Sequence, residues 1–440
     1  MSIFKAYDVR GVYPDEINEE HARKIANAFA GYVGNGPIVV GRDMRVSSPS
    51  ISAAAIEGIT AAGLDVIDIG MCTTPMSYFA IGHLEAAGGM MTTASHNPAK
   101  YNGFKISREK AIPLSYETGI GELQKIVERG DYHEADEKGS VTTKEIAPAY
   151  IDHVLASAGE IKPLKIVIDA GNGITGAFLP MLLEKLPCDA TAMFFEPDGT
   201  FPNHEANPLK PENVLDLQAK VKEIGADLGI AMDGDGDRCA FVDENGQTVS
   251  SDIVTALIAG EVLAHNPGAG ILYDLRSSRA VPEEISANGG RPVRSRVGHA
   301  YMKTIMRDQD IPFGGELSGH YYFKENYYAD SGFIAMVNVL TLLSESGKPF
   351  SEMIEPLKRY YATGEVNFTV GDKDAKIAEL AEKFADAEID YLDGITVSYE
   401  KWWFNVRKSN TEPVLRLNLE AETAELRDET AEKVKKLLSE

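Results

Sequence analysis

Pro163-Leu-Lys-Ile-Val-Ile-Asp-Ala-Gly-Asn-Gly173 decides how this chain is divided. Its short apolar run, rich in β-branched residues, reads as a buried strand, and the closing Gly-Asn-Gly reads as a tight turn. A helix is expected next, over 176–185. The succession restarts at Gly268-Ala-Gly-Ile-Leu-Tyr-Asp-Leu-Arg-Ser-Ser278, again strand, polar turn, helix. It also occurs upstream, with Pro37-Ile-Val-Val-Gly41 as a strand, an alanine-rich helix over 50–62, and Leu64-Asp-Val-Ile-Asp-Ile-Gly70 as the next strand. Short strands alternating with helices of this length specify an α/β architecture. Three restarts, faint in sequence similarity, imply three related α/β units.

Beyond 361 the pattern changes. Short strands at 365–370, 395–399 and 414–419 mix with helices at 374–387 and 423–438, which describes an α+β domain and not another copy. Boundaries are expected in the polar, strand-poor 138–145 and near 250–252. The units are then 1–145, 146–250, 251–362 and 363–440. A chain of 440 residues is long for one core, since domains average about 150 residues.

The composition, 44% apolar and 25% charged, is that of a water-soluble globular protein. Lys and Arg number 43 against 67 Asp and Glu, a net charge of −24. That excludes a nucleic-acid binder, which needs a basic surface to neutralise phosphates. A small anionic substrate stays compatible, because a cleft focuses its own local field. Cys72, Cys188 and Cys239 are few, odd in number and widely spaced. They fit a reducing compartment and argue against a disulfide framework. There is no basic-then-apolar leader and no apolar run near the roughly 18 residues that span a bilayer. A cytoplasmic location is expected by elimination.

Four stretches carry chemistry. Met91-Met-Thr-Thr-Ala-Ser-His-Asn-Pro98 sets Ser95 after a small, apolar, strand-like approach. Pro98 pushes Asn97 out of the helical region, so Ser95 is expected on an exposed turn, as a nucleophile, a phosphate carrier or a plain turn-former. Met232-Asp-Gly-Asp-Gly-Asp-Arg238 alternates carboxylates at Asp233, Asp235 and Asp237 with glycines. Such a loop aims hard oxygens at one point, as Mg²⁺ requires. An EF-hand calcium loop is the rival, with Glu244 at its twelfth position, but Arg238 stands where glycine is needed and the flanks read as strands. A solvated acidic turn is the plain alternative.

Gly314-Gly-Glu-Leu-Ser-Gly-His320 presents Glu316, Ser318 and His320 on an exposed loop, with the first two suited to vicinal sugar hydroxyls and His320 to proton transfer. Arg407-Lys-Ser-Asn-Thr-Glu-Pro-Val-Leu-Arg416 gathers cations, hydroxyls and an amide between two strands, a cradle for phosphate oxygens. Further anion contacts are expected in Tyr7-Asp-Val-Arg-Gly11, Gly41-Arg-Asp-Met-Arg45, Asn102-Gly-Phe-Lys105 and Val297-Gly-His-Ala300. Phosphoryl transfer to and from a phosphosugar uses all four stretches.

These loops, in this order and across essentially the whole chain, resemble the four signature loops of the α-D-phosphohexomutases. The Ser-Asn-Thr-Glu-Pro at 409–413 is most like the phosphomannomutase and phosphomannomutase/phosphoglucomutase branch. Asn410 and Leu317 depart from the pattern of the phosphoglucosamine mutases, which remain the alternative. A non-catalytic calcium- or sugar-phosphate-binding protein is the more distant one.

The resemblance implies an α/β protein of four domains around a central cleft, three related mixed-sheet domains and a C-terminal α+β domain. It implies a phosphorylated Ser95, with Ser95, Asp233, Asp235 and Asp237 around Mg²⁺, and Arg10, Lys105 and Arg238 neutralising the transferred group. Phosphate would pass between Ser95 and O1 or O6 of mannose or glucose phosphates through a hexose 1,6-bisphosphate. Glu316 and Ser318 would contact O3 and O4. Arg407, Ser409, Asn410, Thr411 and Arg416 would hold the non-reacting phosphate, and His320 and Lys105 would serve as general acid and base. Tyr7, His299 and Arg276 complete the expected substrate contacts, Arg276 standing where relatives carry Lys. Lys408 adds a charge to the cradle. The expected partners are phosphosugars, with no nucleic acid and no membrane, and monomer and homodimer both stay open.

Overall fold

The computed structural model describes residues 3–409 and 414–439. Four sheets account for the strands. The first has the order Val9–Val12, Tyr101–Arg108, Gly88–Thr92, Ile38–Arg42, Val66–Met71, Val141–Thr143. The second runs Thr248–Val249, Cys239–Asp243, Leu228–Met232, Lys165–Asp169, Asp189–Met193. The third runs Arg291–Ser295, Gly270–Asp274, Phe313–Gly315, Tyr321–Phe323, Ala329–Asp330.

All three share one plan. A leading strand (Ile38–Arg42, Lys165–Asp169, Gly270–Asp274) is flanked by two parallel neighbours. One of these neighbours then turns back into an antiparallel partner. The three restarts in the sequence are therefore three copies of a mixed sheet. The turns that make those antiparallel pairs are the loops carrying Ser95, the three aspartates and Glu316. One topological position thus serves three times.

The 176–185 helix is shorter than expected. The chain takes a 3₁₀ turn at Ile174–Ala177 and an α-helix only at Leu179–Leu183. Pro180 tolerates a first turn but removes a donor for any longer helix. The helix Ser48–Ala61 and the strands Ile38–Arg42 and Val66–Met71 fall within two residues of expectation.

The fourth sheet differs, as expected. All its pairings are antiparallel, in the order Tyr361–Ala362, Leu415–Ala421, Trp402–Lys408, Ile395–Ser398, Glu388–Asp390, with Val366–Phe368 also on Leu415–Ala421. Helices Lys373–Lys383 and Ala424–Ser439 cover one face.

One apolar cluster runs through the first three units, from Val39 and Met76 through Ile166 and Phe241 to Ile271 and Phe333. The C-terminal unit has its own cluster, from Leu380 to Leu438. Its seam with the third unit is polar: Arg279 donates to the carbonyls of Tyr399 (2.6 Å) and Glu400 (2.7 Å), and Val297 N–H to Asp393 (3.2 Å). Among the described residues no helix is long and apolar enough to cross a membrane.

Candidate active site

Ser95 lies in a turn, as expected, but it is 3% exposed and not at the surface. Its φ is +50°, a left-handed conformation unusual for a residue with a side chain. Two devices hold it there. Thr93 Oγ1 accepts from the Ser95 N–H at 2.9 Å. Arg45, wholly buried, donates to the carbonyls of Ser95 (2.8 Å), Asn97 (2.6 Å), Pro98 (2.9 Å) and Tyr101 (3.1 Å). Its charge is balanced by Asp43 at 3.2 Å. The Gly41–Arg45 stretch was expected to meet an anion; Arg45 instead clamps the backbone beneath the serine, because its donors are consumed by carbonyls.

The Ser95 hydroxyl donates to Asp233 Oδ2 at 2.9 Å. His96 Nδ1, given no role from sequence, lies 3.2 Å from the same hydroxyl. Asp233, Asp235 and Asp237 are buried and offer oxygens all within 4.8 Å of one another. The flanking strands Leu228–Met232 and Cys239–Asp243 exclude an EF-hand, which needs helices there. Gly234 is glycine for a spatial reason. A Cβ there would come 2.5 Å from the Ser95 carbonyl oxygen, so the serine loop rests directly on the aspartate loop.

The helix Thr74–His83 starts against this loop, with Thr74 Oγ1 donating to Asp235 Oδ2 at 2.6 Å. Lys105 Nζ reaches Asp235 at 2.7 Å and also pairs with Asp237. Burial opposes the Lys105 charge, but Asp235 and Asp237 outweigh it and hold the ammonium well above its usual range. Burial, and then the charges of Asp237 and Asp235, push the Asp233 carboxyl well up. Burial opposes charge on Asp237 too, yet Lys105 and His320 hold that carboxyl well below the usual range.

Oδ1 of Asp235 and Oδ1 of Asp237 are buried and accept no hydrogen bond. Convergent hard oxygens with orphaned lone pairs fit a divalent cation. The cluster is a metal-type donor set.

The bridge between Arg238 and His320 joins the aspartate loop to the third unit's loop. Arg238 Nε donates to His320 Nε2 at 3.3 Å, and His320 Nδ1 lies 2.9 Å from Ser318 Oγ. Glu316 is 1% exposed, not on an open loop as expected. Its two oxygens accept from the Gly298 N–H (3.0 Å) and the Tyr322 hydroxyl (2.5 Å).

Gly298 precedes His299, whose ring packs edge-on to Tyr7 at 5.5 Å, and Tyr7 donates to the Val297 carbonyl at 3.1 Å. Burial, then Lys303 and Lys105, hold His299 well below its usual range, so it is neutral. Arg10 donates to Asn97 at 2.5 Å and so faces the serine loop.

The remaining cations form a second group. Arg276 grips Asp274 through two nitrogens, at 3.1 and 2.7 Å, and Asp274 also accepts from the Leu317 N–H at 2.8 Å. Arg407 and Arg416 are opposite one another on paired strands. Glu365, which no sequence motif marked, joins all three: Arg416 at 2.9 Å, Arg407 at 3.1 Å and Arg276 at 3.5 Å. Lys408 does not join them. Strand alternation turns it to the other face, where it pairs with Asp374 at 2.6 Å. Ser409 follows the strand Trp402–Lys408, its N–H donating to the Val414 carbonyl at 3.0 Å, while Asn410 and Thr411 lie outside the described residues. The Glu316 loop therefore stands between the serine–aspartate cluster and the arginine group.

The whole chain is similar to known proteins. Four family profiles match in order: phosphoglucomutase/phosphomannomutase alpha/beta/alpha domain I at 1–134, domain II at 148–246, domain III at 250–360 and the C-terminal domain at 365–437. The chain is 43% identical to phosphohexose mutases of Xanthomonas campestris over 426 residues, 96% of this chain and 95% of that protein. It is 40% identical to the phosphomannomutase of Salmonella montevideo over 433 residues, 96% of this chain and 95% of that protein. The crystal structure of a phosphoglucomutase/phosphomannomutase family protein from Burkholderia thailandensis superposes with a TM-score of 0.92 at 35% identity, covering 99% of this chain and 97% of that one. Matched along its length in sequence, fold and loop order, the chain belongs to the phosphoglucomutase/phosphomannomutase family of phosphohexomutases.

Proposed function

We propose that this enzyme interconverts mannose 6-phosphate and mannose 1-phosphate, accepts glucose phosphates as well, and uses Ser95 as the phosphate carrier. The observation that carries the reading is the Ser95 hydroxyl, 2.9 Å from Asp233 in a three-carboxylate cluster and separated by the Glu316 loop from a group of arginines. A phosphate on Ser95 and a phosphate on the sugar then have one pole each.

Asp233, Asp235 and Asp237, with Ser95, would hold Mg²⁺, which lowers the charge on a transferring phosphoryl group. Lys105, Arg10 and Arg238 add positive charge from the protein. The phosphoryl group leaves Ser95 Oγ for the free O1 or O6 of the sugar, and that hydroxyl gives up its proton. The reverse transfer from the other end of the hexose 1,6-bisphosphate restores Ser95, so atoms and charge balance over a cycle.

His320, which meets Arg238 and Ser318 through its two nitrogens, and Lys105, held protonated, are the general acid/base pair. Glu316 and Ser318 read O3 and O4, which keep their places when the sugar is reversed. Arg407, Ser409, Asn410, Thr411 and Arg416 hold the idle phosphate, with Arg276, Tyr7 and His299 lining the same space. The O2 epimers differ outside this reader, which supports tolerance of glucose phosphates.

Purified protein given mannose 1-phosphate, Mg²⁺ and a trace of hexose 1,6-bisphosphate should show conversion by ³¹P NMR. No conversion of mannose or glucose phosphates refutes the reading. A higher kcat/KM on glucosamine 6-phosphate than on mannose 1-phosphate would reassign the substrate. Ser95→Ala should end turnover while the sugar phosphate still binds, and surviving turnover overturns the carrier.

A further inference from the structure

Glu365 belongs to none of the four loops, yet it is the only carboxylate among the described residues that pairs with Arg276, Arg407 and Arg416 together. It sits in the connection between strands Tyr361–Ala362 and Val366–Phe368, directly after Gly364 at φ +68°. A Cβ on Gly364 would meet nothing within 4 Å, so the connection has free space beside it. Its side chain is 25% exposed, whereas that of Arg407 is 2% exposed. Glu365 is thus the more exposed partner of the pair, with free space beside it into which it can withdraw from Arg407.

Three guanidiniums this close repel one another. Arg276 has its own counter-charge in Asp274. For Arg407, burial and then the charge of Arg276 work against the ionised form, and Glu365 counters them only in part. A carboxylate ringed by guanidiniums presents planar oxygens to fork-shaped donors, which is the way such donors take a phosphate.

We propose that Glu365 is a built-in anion: it stands in for the idle phosphate when the arginines are empty and yields the place when phosphate arrives. This rests on the reading of Arg407 and Arg416 as the phosphate pole. Asp274, Glu316 and Asp393 also act on these arginines, and Glu365 adds one further negative charge that an arriving phosphate dianion must meet. Without Glu365 one negative charge is gone, and with it the carboxylate that pairs with all three guanidiniums. Glu365 therefore holds phosphate affinity down and speeds release. A mutase needs this, because both phosphates of one intermediate must occupy and vacate the same pole in each cycle.

The test uses Glu365→Gln, which keeps the shape and removes the charge, and inorganic phosphate as the probe. Calorimetry on the full-length protein should show phosphate bound about tenfold more tightly by the variant, as removal of one nearby charge predicts. In turnover of mannose 1-phosphate, KM and kcat should fall together, with product release slowed. Phosphate should raise the melting temperature of the variant more than that of the wild type, a comparison that holds even if the variant is less stable. Unchanged or weaker phosphate binding, or an equal melting shift, overturns the proposal and leaves Glu365 a strut for the arginines.

Arg407→Met, alone and with Glu365→Gln, separates the two readings. It should weaken phosphate alone and abolish the gain in the double variant. If Arg407→Met leaves phosphate binding intact, the phosphate pole itself is misassigned. If it weakens binding while Glu365→Gln fails to tighten it, only the role of Glu365 falls.

Discussion

Arg45→Met should lower both stability and turnover, for two separable reasons. Arg45 is fully buried, donates to four loop carbonyls and balances Asp43, itself 1% exposed. Loop carbonyls that gain water recover most of what they lose. Asp43 does not, and a buried carboxylate stripped of its partner costs about 3–5 kcal/mol. The second loss is local. The left-handed Ser95 stores roughly 1–3 kcal/mol of backbone strain, which persists only while its surroundings enforce it. Without the clamp the loop relaxes and the hydroxyl leaves its place 2.9 Å from Asp233. A shift of about 1 Å in a reacting group lowers the rate about 100-fold.

The assay is kcat at a temperature where circular dichroism shows the variant folded, beside its melting curve. Arg45→Lys should fall in between, since an ammonium keeps the charge with fewer donors. An Arg45→Met protein that melts with the wild type and turns over at the wild-type rate refutes the reasoning. Loss of stability with full kcat would refute its second half.

Gly234→Ala places a Cβ 2.5 Å from the Ser95 carbonyl oxygen, so the two loops must part; kcat should drop by about 100-fold with the far-UV spectrum unchanged, and a fully active variant would dismiss the close approach as slack. Chelation should abolish turnover and Mg²⁺ restore it, while Mg²⁺ at about 100 times its Kd should stabilise the protein by about 2.7 kcal/mol; a melting shift that survives Asp235→Asn would show the ion bound elsewhere. His204 has its pKa raised: burial lowers it, but the hydrogen bond to Asp169 at 3.1 Å outweighs that. A raised pKa contributes stability below the ordinary histidine value and loses it as pH rises through the folded one, so His204→Gln should cost more melting temperature near about pH 5.5 than near about pH 8.5. The opposite order would refute the assignment.

Much of the fold was legible because its signals are local. A strand ending at a glycine-rich turn is written in ten consecutive residues, and each chemical loop keeps its side chains within a similar span. Arg45 was misread for the same reason: a lone arginine in a loop looks alike whether it meets a phosphate or four carbonyls. Glu365 was invisible, because its partners stand at 276, 407 and 416 and only tertiary packing unites them. The strands Glu388–Asp390 and Trp402–Lys408 went unread, the first too short and the second with a charged end that looked like loop. The burial of Ser95 and Glu316 was likewise hidden. Their loops are polar by composition but are covered by other units of the chain.

The repeated sheet plan has a consequence for how such a site can change. The Ser95, aspartate and Glu316 loops hang from the same rung of three equivalent ladders. Rewriting one of them leaves the parallel strands behind it in place but not its neighbours, because the aspartate loop touches the Ser95 loop at Gly234 and the Glu316 loop through Arg238 and His320. The three loops are thus framed separately but seated on one another. A change in the Glu316 loop therefore has to be matched where His320 meets Arg238 of the aspartate loop.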